Sequence, residues 1–122
     1  MRKILIVEDD PTLRDVYHTI LSTQPYLCDT ATNGKEAIEK CQKQQYDLIL
    51  LDLMMPVMSG IEFLDNYNDL ETMKSKIIIL SNLSSGKELD RARQMGILKN
   101  FIKSDLSPSE LISAIKFDLE TA

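Results

Sequence analysis

The strongest constraint on the fold is that short apolar runs alternate five times with segments of helical periodicity. Several of the apolar runs are continuous Ile, Leu and Val, which is typical of parallel strands that are covered on both faces. The segments between them carry apolar residues at helical spacing, as in residues 13–21. The predicted strands lie near Lys3–Val7, Tyr26–Ala31, Asp47–Leu51, Lys76–Leu80 and Leu98–Ile102.

Each predicted helix has a start signal of the kind that satisfies free backbone N–H groups. At the first helix, Asp10 is an N-cap and Pro11 occupies the first helical position, where no N–H is needed. Leu106 and Leu111 are spaced to form a hydrophobic staple at the fifth helix. The other expected starts are Asn33-Gly34 with Glu36, Ser59 with Glu62, a position near Ser85 with Glu88, and Ser107 with Glu110.

Five strands that alternate with five helices predict an α/β fold. The expected architecture is a doubly wound (βα)5 domain, flavodoxin-like, with a five-stranded parallel sheet in the order 2-1-3-4-5 and helices on both faces. The 122 residues are enough for one compact core. We therefore expect a single domain over residues 1–122, without an output domain.

Composition excludes several classes of function. The net charge of −5 and the lack of a basic stripe argue against direct nucleic-acid binding. No apolar run approaches the roughly 20 residues of a membrane span, and the N-terminus does not resemble a signal peptide. We therefore expect a cytoplasmic protein. Cys28 and Cys41 lack metal-ligand spacing and are interpreted as reduced thiols.

Polar or charged residues follow four of the five predicted strands. Glu8 and Asp9 come after the first strand, and Asp52 comes after the third. Ser81 and Lys103 follow the fourth and the fifth. Because the carboxyl ends of parallel strands lie at one edge of the sheet, we expect these five side chains to converge.

Three carboxylates at one edge require a cation. Two carboxylates about 5 Å apart repel by roughly 3 kcal/mol at an effective dielectric constant of about 20. Hard oxygen ligands favour Mg²⁺, with Mn²⁺ as the alternative ion, and too few protein ligands for a closed cage leave room for a phosphoryl oxygen. Lys103 and Ser81 are suited to bind phosphoryl oxygens, and Asp52 is suited to be the nucleophile that forms an aspartyl phosphate.

These residues resemble the receiver domain of two-component response regulators, including the chemotaxis regulators. The resemblance rests on "ILIVEDD", on "DLILLDLMMPVMSGIEFL" with its Asp52-x-x-x-Pro56-x-x-x-Gly60 pattern, and on the order of Asp52, Ser81 and Lys103. It extends over essentially the whole chain.

The resemblance implies a role for each residue. Asp52 would be the phosphoacceptor, Ser81 would hold the phosphoryl group and Lys103 would form the charge pair. Asp9 would bind the metal directly, Glu8 would assist through water, and the backbone carbonyl of Met54 would be a further ligand. The domain would be a phosphorylation-activated switch of a phosphorelay rather than an enzyme.

The resemblance also implies the partners. A histidine kinase or a histidine phosphotransfer protein would donate the phosphoryl group. The face formed by the fourth helix, the fifth strand and the fifth helix would shift and bind a downstream protein, and the domain would be a monomer or a weak dimer. His18, the only histidine, falls on the first helix and is interpreted as an exposed residue without a role in phosphotransfer.

Three positions depart from the usual pattern of the family. Asn82 replaces a small residue after the Ser or Thr, and Asn100 replaces an aromatic residue three positions before the lysine. Ser104 stands where proline usually follows the lysine in a cis bond, so we predict a trans Lys103–Ser104 peptide. Separately, we predict slow autodephosphorylation, because Met54 and Leu83, two residues beyond Asp52 and Ser81, are apolar and orient an attacking water poorly.

Three alternative functions remain open from the sequence. A pseudo-receiver would be a phosphorylation-independent interaction module, although the acids and the lysine are retained. A phosphatase of the haloacid dehalogenase type needs a second Asp at position 54, which is Met54. A flavodoxin-like nucleotide binder needs a Gly-rich loop after the first strand, where Glu8-Asp9-Asp10 stands instead.

Overall fold

The computed structural model describes residues 1–68, 75–97 and 99–120. Strands and helices alternate in the predicted order, and a short 3₁₀ turn over Lys103–Asp105 follows the last strand. The strands are β1 (Arg2–Val7), β2 (Tyr26–Ala31), β3 (Leu48–Leu51), β4 (Lys76–Ser81) and β5 (Asn100–Ile102). The helices are α1 (Pro11–Ser22), α2 (Gly34–Lys43), α3 (Gly60–Asn68), α4 (Lys87–Gln94) and α5 (Pro108–Glu120).

The five strands form one parallel sheet in the order β2-β1-β3-β4-β5, which confirms the predicted topology. The order reverses between β1 and β3, because the chain passes from β1 to β2 on one side of the sheet and from β3 to β4 on the other. Ligands of open α/β sheets bind beyond the carboxyl ends of the strands at such a switch point. Glu8-Asp9 after β1 and Asp52 after β3 occupy this position.

Helices cover both faces of the sheet, which explains the continuous apolar runs. In β1, Leu5 and Val7 pack in one core with α2, α3 and α4, whereas Ile4 and Ile6 pack in the other with α1 and α5. Successive side chains of a strand point to opposite faces, so a strand covered on both sides needs an apolar residue at every position.

Four strand boundaries differ from the prediction. Two strands are one residue longer than predicted, because β1 begins at Arg2 and β4 ends at Ser81. β3 begins at Leu48 rather than Asp47, whose carboxylate accepts a hydrogen bond from the Lys3 N–H at 2.7 Å. The backbone of Asp47 also donates to the Lys3 carbonyl at 2.8 Å and accepts from the Lys76 N–H at 3.0 Å, so hydrogen bonding to both neighbouring strands begins one residue before β3. β5 begins at Asn100, and the predicted start at Leu98 lies outside the described residues.

Capping confirms four predicted helix starts and corrects the other. The Asp10 carboxylate accepts from the N–H groups of Thr12 and Leu13 at 2.9 and 3.1 Å, and Asn33 caps α2. Ser59 with Glu62, and Ser107 with Glu110, form reciprocal capping boxes. The start predicted near Ser85 lies slightly later: α4 begins at Lys87 behind Gly86, which has φ +116° and gives no side-chain cap.

The described helices include none that is both long enough and apolar enough to span a bilayer. Both cysteines are free, with Cys28 half-buried in β2 and Cys41 buried in α2. Burial raises the pKa of the Cys41 thiol to about 11, so this thiol stays protonated at neutral pH.

Gly60, the first residue of α3, is required by close packing against the end of β3. A Cβ atom at this position would lie 2.4 Å from the Asp52 carbonyl oxygen and 2.7 Å from the Leu53 Cα. The Gly60 N–H donates to the Leu53 carbonyl at 3.0 Å. The glycine that ends the Asp52-x-x-x-Pro56-x-x-x-Gly60 pattern therefore lets α3 begin directly against the backbone of Asp52 and Leu53.

We predict that Gly60→Ala lowers the free energy of unfolding by about 3 kcal/mol, because the new methyl group collides with backbone that cannot move freely. Gly96→Ala is the control: apart from its own chain neighbours, no described residue places an atom within 4 Å of its Cβ position, and the φ of +90° is what opposes the change. That strain corresponds to about 1 kcal/mol. Urea unfolding measures both variants. Equal destabilisation would contradict the steric explanation.

Candidate functional site

Three carboxylates meet at the switch point of the sheet. Oxygen atoms of Glu8, Asp9 and Asp52 all lie within 4.8 Å of one another. Glu8 and Asp52 are only 2% and 4% exposed, whereas Asp9 is partly open to solvent. Burial of two like charges is unfavourable unless a cation lies among them.

Lys103 supplies a cation from the other side of the site. It directly follows β5, and its ammonium nitrogen lies 2.5 Å from Glu8 Oε1 and 3.0 Å from Asp52 Oδ2. The Lys103 side chain is about as buried as its partners, at 10% exposure. Strands β1, β3 and β5 therefore each contribute one member of a buried charge cluster.

The pKa values of this cluster shift for identifiable reasons. Burial raises the pKa of the Glu8 carboxyl group, and the hydrogen bonds from Lys103 and the Asp10 N–H oppose that effect without cancelling it. Burial by itself lowers the pKa of Lys103, but hydrogen bonds to Glu8 and Asp52 outweigh it and raise the pKa above its ordinary value. The ammonium group therefore stays charged at neutral pH.

The turn after β1 is held by a residue that the sequence did not single out. The Arg14 guanidinium donates through Nη1 to the carbonyl oxygens of Glu8 and Asp9, at 3.0 and 3.4 Å. The Asp10 N–H also donates to Glu8 Oε2 at 3.1 Å. An Arg on the first turns of a helix is ordinarily interpreted as a solvated charge, so no sequence signal marks this contact.

Met54 lies two residues after Asp52, and Ser81 lies at the end of the strand next to β3. Ser81 is the buried last residue of β4, the strand next to β3, and its hydroxyl oxygen accepts a hydrogen bond from the Leu83 N–H at 3.3 Å. The Met54 N–H donates to Asp52 Oδ1 at 3.3 Å, and its side chain is 55% exposed. Asn82 is exposed.

The structure also describes Asn100 and Ser104, which depart from the usual family pattern, and His18. Asn100 lies in β5 opposite Ile79, and within the described parts of the chain its Oδ1 atom is buried without a hydrogen-bond partner. The described residues contain no cis peptide bond, which confirms the trans Lys103–Ser104 prediction. The interpretation of His18 as exposed is wrong: it is half-buried, with Nε2 3.3 Å from the Cys28 carbonyl oxygen.

Comparison with known proteins decides the family. Residues 4–116 match the sequence model of the response regulator receiver domain. The chain belongs to this family. The match includes the carboxyl end of every strand and all three acids of the site, so the receiver domain contains the whole carboxyl edge described above.

Known relatives and solved structures agree with this assignment. The receiver domain is 36% identical to the transcriptional regulatory protein ResD of Bacillus subtilis over 98% of this chain and 49% of ResD. A CheY-like receiver domain from Methanospirillum hungatei superposes with a TM-score of 0.90 at 27% identity, covering 98% of this chain and 94% of that one. The response regulator TrrA of Thermotoga maritima, solved with Mg²⁺ and BeF, superposes with a TM-score of 0.81 at 30% identity, covering 97% and 99%.

The chain spans about half the length of several curated relatives that it matches, ResD among them. Receiver domains are phosphoacceptor signalling domains of two-component systems and are generally not classical enzymes.

We predict that Lys103→Met lowers the free energy of unfolding by about 3 kcal/mol, because two buried carboxylates lose their cation. Adding Asp52→Asn to Lys103→Met is expected to restore most of this loss by removing one of the two charges. Urea unfolding at neutral pH without divalent ions measures the stability of the wild type and of both variants. The control is Lys116→Met, which removes an exposed lysine of α5. A Lys103→Met protein as stable as wild type would contradict the analysis.

Proposed function

We propose that this receiver domain is a phosphorylation-activated switch in which Asp52 accepts a phosphoryl group from a histidine kinase or a histidine phosphotransfer protein. The observation that carries the proposal is the ammonium group of Lys103 3.0 Å from Asp52 Oδ2, inside a cluster of three carboxylates. A fixed cation beside a nucleophilic carboxylate is poised to neutralise an incoming phosphoryl oxygen.

The donor atoms fit a hard divalent ion, Mg²⁺ or Mn²⁺. Three carboxylates with oxygens within 4.8 Å carry more negative charge than Lys103 balances, and oxygen is the ligand that both ions prefer. Asp9 and Asp52 would bind the ion directly, with the backbone carbonyl of Met54. Glu8 would act through water, because both of its carboxylate oxygens already accept hydrogen bonds. When bound, the ion neutralises charge on the transferring phosphoryl group.

Phosphotransfer then needs positioning rather than an acid–base relay. An Asp52 oxygen attacks the phosphorus of a phosphohistidine, the new P–O bond forms, and the P–N bond breaks with its electron pair on the imidazole nitrogen. Lys103 pairs with a phosphoryl oxygen. The Ser81 hydroxyl releases the Leu83 N–H and donates to another phosphoryl oxygen. This movement draws the segment before α4 toward the site.

A change near α4 would be transmitted to the face formed by α4, β5 and α5, where we place the contact with a downstream protein. β5 is the edge strand of the sheet, and Phe117 of α5 is 60% exposed beside it. Lys99 lies 4.4 Å from the centre of the Phe117 ring. An exposed aromatic ring beside an edge strand forms a surface suited to protein binding. A monomer or a weak dimer leaves this face open.

The central prediction is that acetyl phosphate with Mg²⁺ adds one phosphoryl group to the wild-type chain and none to Asp52→Asn. Intact-mass spectrometry measures the product, and hydroxylamine sensitivity identifies an acyl phosphate. Omitting Mg²⁺ is expected to abolish the modification. A wild-type chain that takes up no phosphoryl group from acetyl phosphate or from a phosphohistidine donor would favour the pseudo-receiver alternative, whereas steady hydrolysis of phosphate monoesters would indicate a phosphatase.

We also predict a phosphoryl lifetime of minutes or longer. The exposed Met54 side chain and the half-buried Leu83 side chain offer no polar atom that would orient an attacking water. Met54→Asn is expected to shorten the lifetime several-fold, because an amide at this position can hold a water. Val57→Asn, an exposed residue of the same loop, is the control. Loss of radiolabelled phosphate with time measures all three proteins, and a wild-type lifetime of seconds would contradict the prediction.

A further inference from the structure

The turn after β1 carries two of the three acids, and several of its backbone groups are hydrogen-bonded. The Glu8 N–H donates to the Ala31 carbonyl of β2 at 3.0 Å, which extends the strand pairing by one residue. The Glu8 and Asp9 carbonyl oxygens both accept from Arg14 Nη1. Within the described part of the chain, no hydrogen bond is given to the Asp9 carboxylate, which is left available for a ligand.

Arg14 reaches this turn because of its place in α1. It is the fourth residue of the helix, and its N–H donates to the Asp10 carbonyl at 2.9 Å. Helical side chains lean toward the N-terminus of their helix, so the Arg14 side chain lies back over the residues before Pro11. The guanidinium group contacts main-chain carbonyls and leaves the carboxylates free.

We propose that Arg14 is a positioning residue for the metal site of the proposed function. By holding two successive carbonyl oxygens, it fixes the directions in which the Glu8 and Asp9 side chains leave the backbone. This matters because the three carboxylates repel one another and would otherwise open the turn. Removing a residue that orients metal ligands through hydrogen bonds typically lowers the metal affinity by about 10–100-fold.

Charge and position act in opposite directions at Arg14, which makes the inference testable. A cation near a divalent ion weakens its binding, so loss of the Arg14 charge alone would tighten binding. Loss of the positioning contacts would weaken it. We expect position to dominate, since the guanidinium group faces carbonyl oxygens rather than the carboxylates that hold the ion.

The test is the affinity for Mn²⁺, measured from the electron paramagnetic resonance signal of the free ion. Arg14→Met is expected to raise the Kd about tenfold or more. Arg14→Lys keeps the charge but lacks the planar fork of donors, and it is also expected to bind Mn²⁺ more weakly than wild type. Arg91→Met is the matched control, since Arg91 of α4 pairs with Asp65 at 3.1 Å instead. It should leave the Kd unchanged.

Thermal unfolding with and without saturating Mg²⁺ distinguishes a positioning role of Arg14 from a purely structural one. A positioning role shrinks the increase in Tm that Mg²⁺ produces, whereas a structural role lowers both Tm values equally. Arg14→Met with an unchanged or lower Kd would overturn the inference, and Arg14→Lys supplies the comparison if Arg14→Met does not fold. A wild-type chain that binds no Mn²⁺ would instead overturn the proposed function.

Discussion

The structure depends on the charge balance at the carboxyl edge of its sheet. Glu8 and Asp52 are nearly inaccessible to water, and their negative charges are tolerated because Lys103 lies between them. The lysine is 51 residues from Asp52 in sequence, so this balance exists only in the folded chain. A single lysine balances less charge than three acids carry, and this surplus suits the divalent ion and the phosphoryl donor of the proposed function.

Sheet topology explains how these groups meet. Strand order reverses between β1 and β3, so the residues that follow these two strands become neighbours at the sheet centre. Gly60 then lets α3 begin against the backbone of Asp52 and Leu53 without a steric clash. Apolar packing on both faces makes the strands rigid supports, and rigid supports hold charged groups at distances that a flexible loop would not maintain.

The two sides of the site differ in how firmly they are held. On the β1 side, Arg14, the Asp10 cap and the pairing with β2 fix the acids. On the β4 side, the Ser81 hydroxyl has a long contact to Leu83, and α4 starts behind a glycine without a side-chain cap. Asn100 adds a buried oxygen without a partner among the described residues. Sparse hydrogen bonding is typical of segments that move, so the asymmetry suits a switch that binds on one side and responds on the other.

The sequence by itself determined the five-fold alternation, the sheet order, four of the five helix starts and the identity of the residues at the strand ends. The alternation, the helix starts and the strand-end residues follow from local periodicity and capping chemistry, which operate on neighbouring residues. The sheet order follows instead from the few strand orders that doubly wound sheets with right-handed crossovers adopt. Only the tertiary structure decided that Lys103 contacts Glu8 as closely as Asp52, that Arg14 holds two carbonyl oxygens, and that Gly86 displaces the start of α4. These features depend on side-chain direction and on backbone dihedral angles, which packing between distant elements sets and which a residue pattern does not encode.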